Sequence, residues 1–243
     1  RFSISRWFME KIVGIHRKKV LPNFSFSTFE QWSAKLGLIR ENQKAETVLF
    51  QTCYVQHNEP QIGKDTLKVL EKNKVDCACL KGLRCCGMPA WEQGDLETLR
   101  VNAKHNLEIL IPFVEKGSKV LVINPTCSMM MRREYKNLLE GEDREKAKIL
   151  SEAVNDPSEY LWNIRSEERF NTDVKSLPNE TLSYHAPCHL RAQGVGFKGR
   201  DLIKKITGSK IKTVMECCGH DGTYAMKAES FDASKRIGKK SFE

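Results

Sequence analysis

Long apolar runs are missing from this 243-residue chain. The longest, residues 109–114 (ILIPFV), is six residues with a proline inside, against the ~18 consecutive apolar residues that a membrane-spanning helix needs. No transmembrane helix is expected. Cysteine is too sparse for a disulfide scaffold: nine in 243 residues is about 4%, below the ~8–10% of such proteins. Their number is odd and no signal peptide precedes them, so a reducing, cytoplasmic compartment is expected. Short Cys-x-x-Cys pairs are absent, which removes zinc ribbons and ferredoxin cluster loops. No phosphate loop, dinucleotide fingerprint or hydrolytic triad motif stands out.

What remains is globular in composition, 40% hydrophobic and 29% charged. Forty Lys and Arg oppose 31 Asp and Glu, a formal net charge of +9. The basic residues are dispersed, at 16–19, 132–133, 198–212 and 235–240, with no zinc-finger spacing, aromatic RNA-binding motif or basic heptads beside them. No nucleic-acid partner is expected. The excess suits an acidic partner, an anionic membrane surface, or simply a solvated basic face.

The chain reads as four stretches. Residues 1–44 carry an apolar-sided segment at 7–15 (WFMEKIVGI), a basic run, and a linker at 22–26. Ser27-Thr28-Phe29-Glu30 has capping-box form and opens a short helix that Gly37 stops. Residues 45–140 alternate strand and helix: strands at 47–51, 75–80 and 119–124, a helix at 63–73, and a long helix from the N-cap Asp95 to Glu115. That order implies a parallel sheet with crossover helices. Residues 141–180 look like a charged helical connector ending in a Pro178-Asn179 turn. Residues 181–243 then restart the pattern.

The restart is an internal repeat. Strand 47–51 runs into Cys53, and strand 181–184 into Cys188; helices 63–73 and 198–206 follow. Strand 75–80 leads to Cys85-Cys86-Gly87, and strand 211–215 to Cys217-Cys218-Gly219. A duplicated unit of this kind is not a coincidence of composition. All these cysteines sit where a strand has just ended, the edge at which parallel sheets bind ligands. Cys53, Cys85, Cys86 and Cys127 should therefore converge although 31 and 40 residues separate their segments. Cys188, Cys217 and Cys218 should form part of a second site.

Adjacent cysteines cannot easily reach one tetrahedral ion, because neighbouring side chains diverge. Several metal atoms relax that constraint. Four soft thiolates favour an iron–sulfur cluster, with zinc as the competitor. Gly87 and Gly219 let the backbone approach and offer amides to sulfur. His185 and His189, beside Cys188, and His220, after the second pair, could donate to sulfur. Cys77 and Cys79 read as small buried residues, Met129–Met131 as core filling, and Arg84 as a surface side chain beside Cys85.

The stretches 50–65 (FQTCYVQHNEPQIGKD), 84–89 (RCCGMP), 184–189 (YHAPCH) and 217–227 (CCGHDGTYAMK) resemble the CCG-domain, or cysteine-rich domain, family. Its pattern is Cys, about thirty residues, Cys-Cys-Gly, a similar gap, then Cys-x-x-Cys. The resemblance implies an α/β fold of two tandem related CCG half-domains, built from parallel-sheet βαβ units with a helical connector. It implies an iron–sulfur cofactor, 4Fe–4S or noncubane, on the seven cysteines named above, with zinc open at the first site. It also implies electron transfer from a flavin-containing dehydrogenase subunit toward a quinone or membrane-anchor subunit, at the cytoplasmic face of the inner membrane. The alternatives are a disulfide-reducing member with a noncubane cluster, and a structural zinc module. Two departures stand out. Asn124 holds the place of one closing cysteine in the first half, leaving four thiols where the noncubane type uses five. The closing pair of the second half would fall past Glu243, and the family's N-terminal ferredoxin-like domain is not in the chain, which is expected to be a piece of a longer protein.

Overall fold

The computed structural model describes residues 3–41, 44–174 and 181–243. Strand β1 (Thr47–Phe50) is buried at all four positions. A strand buried on both faces needs partners on both edges and helices above and below, which is the parallel arrangement. β1 lies between β2 (Cys77–Cys79) and β3 (Lys119–Val122), and β4 (Val154–Asn155) extends the sheet beyond β3. Every pairing is parallel. Strand alternation sends Val48, Phe50, Ala78, Leu80, Val120 and Val122 to one face and Leu49, Cys79 and Leu121 to the other.

Helices cover both faces. Near the start, α1 (Ser3–Phe8) runs on in wider π turns through Val13, and α2 spans Phe29–Lys35. β1 breaks into α3 (Thr52–His57) and α4 (Pro60–Lys72). β2 leads to α5 (Met88–Glu92) and α6 (Leu96–Val114). β3 leads to α7 (Pro125–Met129), which continues through Met130–Glu134 into α8 (Tyr135–Leu138). Then α9 (Gly141–Ala153) reaches β4, and α10 (Pro157–Asn163) follows it. Leu99, Ala103, Leu107 and Leu110 of α6, with Met130, Met131 and Tyr135, pack on the first face. Phe29, Val55, Leu70, Tyr160 and Leu161 pack on the second.

The second unit repeats the first on a smaller scale. β5 (Leu182–His185) and β6 (Ile211–Val214) pair in parallel. Between them lie α11 (Cys188–Ala192) and the crossover α12 (Lys198–Thr207). A 3-10 turn at Tyr224–Met226 precedes α13 (Phe231–Phe242). Leu202 of α12 is buried in the same cluster as Leu161, so the halves share core.

The expected α/β architecture with its duplicated unit is present, with two differences in detail. The capping box sits one residue later, Thr28 with Gln31, because Gln31 rather than Glu30 reaches back to the Thr28 amide. Residues 141–163 are helical as expected but also contribute β4, so they close an edge of the first sheet as well as connecting. Arg132 anchors that edge by donating to the Val154 carbonyl and pairing with Glu159. The Pro178-Asn179 turn lies outside the described residues. At the start, Ile4, Trp7, Phe8, Ile12 and Val13 are exposed. The segment is tied down after them: Ile15 bridges Lys227, and the His16 ring stacks on Phe231 at 3.9 Å.

One buttress predicts a pH dependence. Arg169 grips both oxygens of Glu46, at 2.6 and 2.8 Å, and the Tyr160 hydroxyl donates to the same carboxylate. Those bonds, Arg169's first, hold the Glu46 carboxyl below its ordinary range. A depressed carboxyl contributes stability above its unfolded pKa of about 4.3 and loses it as pH falls through the folded value. The urea midpoint of the wild type should therefore drop below about pH 4.3 by more than that of Glu46→Gln. Above that pH the substitution should cost on the order of 1 kcal/mol, the part solvent does not screen.

Candidate metal centre

The first set of thiols is assembled by sharp turns at the strand ends. Thr52 takes φ +64, a left-handed conformation unfavourable for a β-branched residue, and so bends the chain from β1 straight into α3 with Cys53 in its first turn. Gly87 takes φ +90 after Cys85-Cys86 and starts α5. A Cβ there would sit 2.9 Å from the Leu99 side chain, so only glycine lets the loop lie flat on α6. Cys127 follows β3, in the helix that Asn124 caps through the Thr126 amide at 2.8 Å.

The four thiols are neighbours: Cys53 and Cys85 line one cavity, and Cys85 packs against the core cluster that holds Cys86 and Cys127. They grade from exposed Cys53 through half-buried Cys85 to buried Cys86 and Cys127. The neighbouring Cys53 and Cys86 thiols, and then the Gly87 amide, hold Cys85 well below the ordinary thiol range. Its neighbours respond in the opposite sense. Cys53 is raised by neighbouring Cys85 and by burial, and Cys86 by neighbouring Cys127 and Cys85 and by burial. One negative charge in the group is tolerated, and a second is opposed. Among the described residues no three His, Cys, Asp or Glu side chains are disposed to hold a single metal ion. The donor chemistry, four neighbouring thiols at the strand ends, suits a centre that spreads its charge over several metal atoms.

The second set is not gathered in the same way. Cys188 and Cys217 are exposed and Cys218 is half-buried. Each is bonded within its own loop: Arg191 donates to Cys188 Sγ at 3.3 Å, the Gly219 amide to Cys217 Sγ at 3.4 Å, and Cys218 Sγ to the His220 carbonyl at 3.8 Å. In the second half the motif glycine's amide thus donates to the first cysteine of the pair. His185 Nε2 lies 3.0 Å from the Glu216 carbonyl. His189 faces the other half, with Nδ1 2.7 Å from Thr126 Oγ1. Cys77 and Cys79 lie apart from the site, each pushed up to about 12, chiefly by burial. Met129, Met130 and Met131 are buried core, and Arg84 is exposed.

Sequence reasoning missed the residues behind the loops. Asn106 is fully buried on α6; its Oδ1 accepts from the Arg84 amide at 2.8 Å, and its Nδ2 donates to the Arg84 and Cys85 carbonyls. Tyr135 Oη donates to the Cys86 carbonyl at 3.0 Å. In the second half, Ser234 and Ser241 of α13 donate to the Gly219 and Cys217 carbonyls at 2.6 and 2.9 Å. Asn106 had a readable signal, a polar residue in the apolar stripe of Leu99, Ala103 and Leu110. A glycine run, Gly194-x-Gly196-x-x-Gly199, has the dinucleotide-binding spacing but follows α11 rather than a strand, so the context of that fingerprint is lacking.

The family model of the cysteine-rich (CCG) domain matches residues 47–132 and 182–243, one match for each half. The chain is 30% identical over 235 residues to the C subunit of the anaerobic glycerol-3-phosphate dehydrogenase of Escherichia coli K12, covering 96% of this chain and 58% of that protein. It therefore spans under two thirds of that relative's length. It is 29% identical over 188 residues to lactate utilization protein A 2 of Bacillus cereus, covering 75% of this chain and 74% of the relative.

The contact between α13 and its loop gives a prediction with a reversed sign. A Cβ at Gly238 would lie 2.6 Å from the Cys218 carbonyl. Gly→Ala inside a helix ordinarily stabilises by ~0.5–1 kcal/mol. Gly238→Ala should instead lower stability by about 1–3 kcal/mol, as overpacking does, read as a reduced urea midpoint for unfolding of α13.

Proposed function

Because this chain belongs to the cysteine-rich (CCG) domain family, we propose that it is an electron-transfer subunit holding an iron–sulfur centre on Cys53, Cys85, Cys86 and Cys127. The observation that carries the reading is the gathering of those four thiols at the carboxyl edge of one parallel sheet. An iron–sulfur cluster, when bound, supplies reversible one-electron storage. The chain's own contribution is positional. Strand ends fix the sulfurs, and buried Cys86 and Cys127 keep the inner side away from water. Exposed Cys53 leaves an outer side accessible to a partner. Cys188, Cys217 and Cys218 would form part of a second centre.

The relatives' names give the wider setting, a dehydrogenase subunit in one case and lactate utilization in the other. On this reading, a flavin-containing subunit that oxidises a small hydroxylated metabolite feeds electrons to the thiol-held centre. The chain then passes them toward a quinone through a membrane-anchor subunit. Among the described residues no helix is long and apolar enough to cross a membrane, which suits peripheral attachment at the cytoplasmic face of the inner membrane. The basic excess of +9 suits an anionic lipid surface there.

Metal analysis of the purified full-length protein tests the reading. Iron with acid-labile sulfide is the expected result, and zinc without iron would replace it with a structural module. Mixed with its dehydrogenase partner and a quinone analogue, the protein should bleach on addition of substrate and recover with the quinone. Cys85→Ser and Cys86→Ser should abolish that cycle and release the iron of the first site. Full electron flow in both variants would remove the first site from the path.

A further inference from the structure

The carbonyls of both Cys-Cys-Gly loops are turned onto the helix behind them. In the first half, Asn106 holds Arg84 O at 3.2 Å and Cys85 O at 3.4 Å, and Tyr135 holds Cys86 O at 3.0 Å. Gly87 O accepts from the Trp91 amide at 2.9 Å. In the second half, Ser241 holds Cys217 O and Ser234 holds Gly219 O, while Cys218 O is pressed against Gly238. Asn106 and Gly238 occupy the same place in the repeat, nineteen residues beyond the motif glycine. One helix grips its loop with a side-chain amide, and the other lets the loop lie directly on its backbone.

Two different chemistries at equivalent positions therefore reach the same result. Carbonyl oxygens face the helix in both halves; in the second the motif glycine's amide donates to the first sulfur, and in the first the Gly87 amide helps to lower the Cys85 thiol. The cost of that arrangement in the first half is visible, because Asn106 and Tyr135 are both fully buried in an otherwise apolar core. A polar group in such a place is tolerated only while its hydrogen bonds are made. Asn106 uses its acceptor and its amide on the loop.

We propose that Asn106 and Tyr135 are positioning residues that lock the first Cys-Cys-Gly loop with amides toward sulfur and carbonyls away, and thereby set the reduction potential of the centre its thiols hold. The inference rests on the iron–sulfur reading above. Amide donors to sulfur favour the reduced, more negatively charged state of such a centre; a carbonyl dipole turned toward sulfur opposes it. Tyr135→Phe removes one O–H and frees Cys86 O to rotate. Asn106→Ala frees Arg84 O and Cys85 O and leaves the Arg84 amide without its acceptor.

The experiment uses the full-length reconstituted protein and reads iron and sulfide content, circular dichroism, the redox-titration midpoint and the paramagnetic spectrum of the reduced state. Tyr135→Phe should keep its iron and its helix content but show a more negative midpoint and an altered spectrum. Asn106→Ala should retain iron about 10–100-fold less tightly. Tyr160→Phe, which removes another buried hydroxyl remote from the loop, should match the wild type. If Tyr135→Phe keeps full iron with an unchanged midpoint and spectrum, the positioning role is overturned while the iron–sulfur reading stands. A wild type that takes up no iron and sulfide overturns both. Should Asn106→Ala fail to fold, Tyr135→Phe alone decides.

Discussion

Sulfurs in contact cannot all ionise unless positive charge lies among them. At Cys53, Cys85, Cys86 and Cys127, one thiol is held down while two neighbours are pushed up, as expected when like charges share a site. Holding four such groups together against their own repulsion requires a rigid frame. β1 supplies it: buried on both faces and paired on both edges, it cannot shift register without moving its core residues to the wrong side. Thr52, held at φ +64, is the local consequence, a strained residue kept in place because the strand before it and the helix after it cannot move.

The same frame built twice does not give two equal sites. The first sheet has four strands and two covered faces; the second, among the described residues, has two strands whose side chains are at most half-buried. Burial follows. Cys86 and Cys127 are enclosed, whereas Cys188 and Cys217 meet solvent. Electrostatic coupling between thiols grows as water is excluded, so the mutual perturbation of the first set follows from the core that encloses it.

The strand–helix order and the cysteine positions were legible in the sequence because both rest on local signals. β-branched runs such as residues 47–50, the Asp95 cap and the Gly117 stop each declare themselves within a few residues. That Cys127 lies in one buried cluster with Cys86, forty residues away, was legible only through topology, since a parallel sheet brings all its strand ends to one edge. β4 was not legible. Its two residues, Val154-Asn155, carry no periodicity, and they become a strand only because β3 offers an open edge and Arg132 fastens Val154. Ser234 and Gly238 were hidden for a similar reason. In an isolated helix they are weak helix formers, and their purpose exists only once the Cys218-Gly219 backbone lies against them.

His189 shows how far a residue's neighbours in space can differ from its neighbours in sequence. Next to Cys188 in the chain, it invites a reading as that thiol's tuner. Its ring instead bonds Thr126, the residue before Cys127. Gln193, one turn further on, donates to the Pro125 carbonyl and to Ser128, and Arg133 reaches back to the Ala192 carbonyl. The helix that starts at Cys188 is thus fastened along its length to the helix that carries Cys127. Each bond is modest alone, about 1 kcal/mol net, but they span one short seam and must break together if the halves are to separate. The two sets of cysteines are therefore held by one continuous structure through α7 and α11, so a displacement of one set is felt by the other.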